Sequence, residues 1–227
     1  MRLFLLGGTR GTGAQMLQQA LARGHQVTAL VRSPQKISTR NANLTVIPGD
    51  ALDGDKLKEA LPGHDAVLSA LGHAKGSPST ILGDAARLTV AAMKATGVPR
   101  LLVVSVAFLF PESGFAGALL RNIILRSNSA DSQQMERVVS SSGLKWTIVR
   151  PPRLTNGSRT GKVRVEDGHL PGSVISRADV AWFMLNETEH PAHVGKIVGV
   201  CHQPGEVFRG AEASSDVSVQ SRQGFRP

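Results

Sequence analysis

Short apolar runs alternate with amphipathic stretches along most of the chain. Leu3-Phe4-Leu5-Leu6 reads as a buried strand. Ala14 to Arg23 then predicts a helix, with Met16, Leu17, Ala20 and Leu21 on one face and Gly24 as its stop. Val27 to Val31 and Leu44 to Ile47 read as the second and third strands. Asp53 caps a short helix carrying Leu57, Ala60 and Leu61, ended by Pro62-Gly63. Ala66 to Leu71 is a fourth strand. Ser77-Pro78 opens a helix with Ile81, Ala85, Leu88 and Ala92 as its buried stripe, stopped by Gly97 and Pro99. Leu101 to Val106 is apolar but for Ser105, as suits a central parallel strand covered on both faces. Asp131 to Ser142 predicts a helix with Met135, Val138 and Val139 inward, and Trp146 to Val149 a sixth strand. Ser176-x-x-Asp179 has the form of a capping box and opens a helix over Arg177 to Thr188. Ile197 to Val200 is the last strand.

Strands alternating with helices in this way specify an α/β fold, a doubly wound parallel sheet in one domain over residues 1–202. From Gln203 the chain turns polar and loses its period, which predicts a disordered tail over 203–227. Phe108 to Ser129 fits three readings: a helical lid, a partner surface or a plain core helix.

Composition narrows the partners. With 227 residues, 41% hydrophobic and 19% charged, the chain is of soluble globular type. Its net charge of +9 favours anionic partners. The basic residues are scattered, however, and only 4% of residues are aromatic, so neither a nucleic-acid arm nor a stacking platform stands out. The N-terminal apolar run is too short for a signal segment, and no run reaches membrane-spanning length. A cytoplasmic protein that binds no membrane is expected. Cys201, the single cysteine, excludes an internal disulfide and reads as an inert core thiol. His190-x-x-His193 is interrupted by Pro191 and lacks accompanying Cys or carboxylate ligands, so no metal site is expected.

The chemistry concentrates at the first turn. Gly7-x-x-x-Gly11-x-Gly13 joins the first strand to the first helix. Absent side chains let backbone approach a dinucleotide pyrophosphate, and a helix N-terminus offers unpaired N–H groups to it. Arg32 ends the second strand, where an acid would select an unphosphorylated ribose. With Arg10 it predicts NADP(H) rather than NAD(H). Asp50, just past the third strand, is either an adenine acceptor or a turn residue. The chain contains no tyrosine, so the Tyr-x-x-x-Lys acid of ordinary short-chain dehydrogenases is excluded. Flavins, quinones and conjugated tetrapyrroles delocalise incoming charge and need less from such an acid.

Several stretches together resemble the atypical short-chain dehydrogenases, in particular the biliverdin reductase B/flavin reductase group beside the NmrA-like proteins. They are Gly7-Gly8-Thr9-Arg10-Gly11-Thr12-Gly13, Ala29-Leu30-Val31-Arg32, Gly49-Asp50-Ala51, Ser105-Val106-Ala107-Phe108-Leu109, the segment from Ser142 to Pro152, and that from Val174 to Leu185. The resemblance spans residues 1–201 and implies a Rossmann-like fold. It also implies that Gly7, Thr9, Arg10, Gly11, Thr12 and Gly13 hold the pyrophosphate and adenosine side, and that Arg32 holds the 2′-phosphate. Asp50 and Ala51 would flank adenine, Leu71 and Gly72 the ribose, and Ser105 the nicotinamide. Pro151, Pro152 and Arg153 would wall the acceptor side, leaving Ser105 and Arg153 as the catalytic candidates. The sequence departs from the group at Arg153, where a histidine is usual, and at Ser132, where relatives place Lys or His. No obvious proton donor remains, and the histidines read as surface or satisfied core residues. The expected protein is an NADPH-dependent reductase of a small planar acceptor, a monomer or weak homodimer. The alternative is a non-catalytic NADP(H)-binding sensor acting through a protein partner.

Overall fold

The computed structural model describes residues 1–73, 79–106, 109 and 126–203. Its central sheet contains β1 (Arg2–Leu6), β2 (Gln26–Val31), β3 (Leu44–Pro48), β4 (Ala66–Ser69), β5 (Arg100–Val104), β6 (Lys145–Arg150), β8 (Val163–Asp167) and β10 (Lys196–His202). Spatial order is β3-β2-β1-β4-β5-β6-β10-β8. Every pairing is parallel except that of β8 with β10. Among the described residues five helices accompany it: α1 (Gly11–Ala22), α2 (Gly54–Ala60), α3 (Ile81–Thr96), α4 (Arg126–Ser140) and α5 (Arg177–Glu189).

Side-chain parity explains the double winding. Leu3 and Leu5 of β1 pack with Met16 and Leu17 of α1 and Val180 and Met184 of α5. Phe4 and Leu6 point to the other face, against Leu57 of α2, Ala85 of α3 and Val139 of α4. The same split separates Leu102 from Leu101 and Val103 on β5. Alternate residues of a strand face opposite sides, so a strand buried on both faces must be apolar throughout. Helices therefore cover both faces of one sheet, the Rossmann arrangement.

Three strands are additional to those the sequence pattern predicts. β7 (Arg153–Thr155) and β9 (Val174–Ser176) form a separate parallel pair. At three residues each they are too short to show a period. β8 was legible: Val163 and Val165 alternate with Arg164 and Glu166, as on a half-buried edge strand. Helix α4 begins at Arg126, five residues before the predicted start. The predicted Ser77-Pro78 helix start, most of the 108–129 segment and residues 204–227 lie outside the described residues. Among those described, no helix is long and apolar enough to cross a membrane.

The capping box at α5 is half made. Ser176 Oγ accepts the Asp179 N–H at 2.9 Å, but the Ser176 N–H faces His202 Nε2, 3.2 Å away, instead of Asp179. The Asp179 carboxylate turns instead to the 160–161 loop and to His202, with no exposure to solvent.

Candidate functional site

Strand order reverses between β1 and β4, and in open α/β sheets that reversal opens a crevice at the strand C-termini. The glycine turn lies in it. A Cβ on Gly7, at φ +82°, would sit 2.6 Å from the Ala70 carbonyl oxygen; one on Gly13 would sit 2.0 Å from the Gly7 carbonyl oxygen. Only glycines let the turn close this tightly against the segment leaving β4. No side chain caps α1, and its first turn carries no acid. Its N-terminal N–H groups are thus placed to receive an anion.

Three arginines border this region. Arg10 is the N-cap of α1 and is exposed, as is Arg32 at the end of β2. Arg177, which no sequence motif marks as part of the site, reaches the turn from α5. Its Nε lies 3.7 Å from where a Cβ on Gly11 would stand, and its Nη1 donates to Asn156 Oδ1 at 2.8 Å. No local signal marks it, because the contact joins residues 166 positions apart. Thr9 is half-buried and Thr12 buried beside the glycines. Of the two readings of Asp50, the turn is present: Oδ1 accepts the Leu52 N–H at 3.0 Å. Ala51 is buried, Leu71 half-buried and Gly72 exposed.

Ser105 is buried past the end of β5. Its N–H donates to the Val149 carbonyl at 2.7 Å, which ties it to β6. Its hydroxyl donates to Glu136 Oε1 at 2.5 Å. Glu136 also receives Arg150 Nε at 2.9 Å and Nη2 at 2.6 Å, a two-pronged ion pair among buried groups. With its hydrogen committed to a carboxylate, the Ser105 oxygen has only lone pairs left to offer. Glu136 and Arg150 were not singled out in the sequence. The signal was there, since Ser132, Met135, Glu136 and Val139 share one buried helical stripe. Ser132 is buried on that stripe. Beyond β6, Pro151 is buried, Pro152 half-buried and Arg153 exposed at the start of β7.

A second carboxylate of α4, Asp131, lies 2.9 Å from His73 Nε2. An open groove of about 400 Å³ runs between Gln15 and Gln19 of α1 and the 156–159 loop. It shares no residue with the Ser105 cluster. Elsewhere, Arg100 pairs with Glu187 at 3.1 Å in the interior; burial lowers its pKa, and Glu187 offsets part of that. Burial likewise pushes the Cys201 thiol up, consistent with an inert core position.

An uncapped helix end, a turn with no room for side chains and three nearby cations fit a nicotinamide dinucleotide. Comparisons with known proteins agree. The family described as NAD(P)H-binding matches residues 7–191. The chain is 31% identical over 233 residues to an uncharacterized chloroplastic protein of Arabidopsis thaliana, covering 94% of this chain and 82% of that one. It is 26% identical over 207 residues to a Streptomyces griseus protein named (4-alkanoyl-5-oxo-2,5-dihydrofuran-3-yl)methyl phosphate reductase, covering 87% and 67%. A Rossmann-fold NAD(P)-binding family protein from Shigella flexneri has been solved. It matches with a TM-score of 0.71 at 26% identity, covering 90% of this chain and 94% of that one.

Proposed function

The chain belongs to the NAD(P)H-binding family, and from that premise we propose that it is an NADPH-dependent reductase of a planar conjugated acceptor such as a flavin or quinone. The observation that carries this reading is the Ser105–Glu136–Arg150 cluster in a chain without tyrosine. Ser105 is built to orient by accepting hydrogen bonds, not to act as an acid.

When bound, the nicotinamide supplies a hydride. The chain holds and orients. Gly7, Gly11 and Gly13 leave the backbone open to the pyrophosphate, with Thr9, Thr12, Arg10 and Arg177 alongside. Arg32 meets the 2′-phosphate. Asp50 and Ala51 flank the adenine, and Leu71 and Gly72 the ribose. Ser105 accepts the carboxamide N–H, with Glu136 and Arg150 fixing its rotamer. Pro151, Pro152 and Arg153 wall the acceptor side. The Streptomyces relative, itself named a reductase, supports the reaction class.

The test is NADPH absorbance decay against a panel of free flavins and soluble quinones. Turnover is expected, and Ser105→Ala, which removes one hydrogen bond of about 1 kcal/mol, should slow it about five-fold. Tight NADPH binding without turnover of any planar acceptor would refute the reductase reading and favour a regulatory NADP(H)-binding protein.

A further inference from the structure

We infer that His73, held by Asp131, is the proton donor to the acceptor; the inference rests on the reductase reading above. His73 stands in the segment that leaves β4. Its Nε2 lies 2.9 Å from Asp131 Oδ2, and the Asp131 side chain is 2% exposed against 21% for His73. A second set of bonds fixes the carboxylate. Its Oδ2 and Oδ1 accept the N–H groups of Leu82 and Gly83, in the first turn of α3, each at 2.8 Å.

A carboxylate offers only acceptors, so Nε2 carries a hydrogen. Nδ1 then has no hydrogen-bond partner among the described residues. An imidazole oriented through one nitrogen by a buried acid, with the other nitrogen left for substrate, is the arrangement of a general acid–base.

The fold carries this dyad and the Ser105 cluster on neighbouring elements. Ser69 at the end of β4 is in register with Val103 on β5, so the segments carrying His73 and Ser105 leave neighbouring strands. Asp131 and Glu136 lie five residues apart on α4, about 7.5 Å along its axis. One helix therefore positions both side chains, His73 through Asp131 and Ser105 through Glu136.

In each turnover the acceptor gains two electrons and one hydrogen as hydride, and one proton from Nδ1 of the imidazolium. The neutral imidazole keeps its Nε2–H on Asp131 and regains a proton from water at its exposed edge. The dyad thus replaces the missing tyrosine.

Two measurements on the full chain test this. Nitrogen NMR, with the His73 signal assigned by its loss in His73→Gln, should find the neutral ring in the Nε2–H tautomer, and mixed tautomers in Asp131→Asn. A neutral ring mainly in the Nδ1–H tautomer overturns the inference. In His73→Gln, NADPH affinity should stay within about two-fold. Its kcat with a soluble naphthoquinone should fall about ten-fold or more, toward the contribution of a general acid, and added imidazole should restore part of it. An unchanged kcat beside an active wild type overturns the donor alone and leaves the reductase reading standing. A wild type that binds NADPH but reduces nothing overturns both.

Discussion

Asp179 has no exposed surface, yet its carboxylate joins three segments at the start of α5. Oδ1 accepts the N–H groups of Thr160 and Gly161, each at 2.8 Å. Oδ2 accepts Ser176 Oγ and His202 Nε2 at 2.8 Å, and Thr160 Oγ1 at 3.2 Å. Asp179→Asn keeps the shape and removes the charge. The amide oxygen can stay on the two backbone N–H groups, while its NH₂ faces Ser176 and His202, which can both turn to accept. What is lost is charge assistance. Hydrogen bonds to charged groups contribute about 1.5–3 kcal/mol against about 1 for neutral ones, so four short bonds weaken by roughly 2–8 kcal/mol together. Relief from desolvating a carboxylate offsets part of this, leaving about 2–3 kcal/mol, or roughly 4–12 °C in Tm for a chain of this size. Burial alone would raise the Asp179 pKa. The N–H of Gly161, with Ser176, His202 and the N–H of Thr160, outweighs it and holds the pKa below its ordinary value. A carboxyl depressed in the folded state contributes stability above its unfolded pKa, near 3.9, and loses it as pH falls through the folded value. The wild-type advantage should therefore be full at pH 7 and shrink below about pH 4. Urea midpoints of both proteins across this range measure it. Equal midpoints at pH 7, or a gap that persists undiminished in acid, would refute the reasoning.

Gly13→Ala forces a Cβ to within 2.0 Å of the Gly7 carbonyl oxygen, so the turn must open; calorimetric titration should find NADPH binding lost while circular dichroism keeps its helix signal. Arg32→Ala should reduce an NADPH-over-NADH preference by about ten-fold or more, the value of one charge-assisted contact, read by fluorescence titration of both cofactors. Glu136→Gln takes away the carboxylate charge that faces Arg150 and should lower stability by about 1–3 kcal/mol, with the Ser105 rotamer loosened and turnover reduced beyond the Ser105→Ala effect. Ending the chain after Gln203 should leave the melting temperature and NADPH affinity unchanged, because the residues beyond it carry no hydrophobic period.

The contrast between what could and could not be read in the sequence follows from the range of the interactions. Leu3 to Leu6 announces a strand buried on both faces because every residue is apolar, and the glycines behind it announce a turn because no Cβ fits there. Both signals are local. Burial of Glu136 was legible in the same way, since it sits among Met135 and Val139 on the inward stripe of α4. An acid on an apolar stripe must find a partner, so its presence predicts a buried polar cluster. The identity of that cluster was not legible. Ser105 lies 31 residues before Glu136 and Arg150 lies 14 after it, and the three meet only because β5 and β6 are neighbours in register. His73 and Asp131, 58 positions apart, meet for the same reason, through the adjacency of β4 and β5 and the packing of α3 on α4. Helical period thus locates Glu136, and strand order decides which hydroxyl and guanidinium it is given to hold.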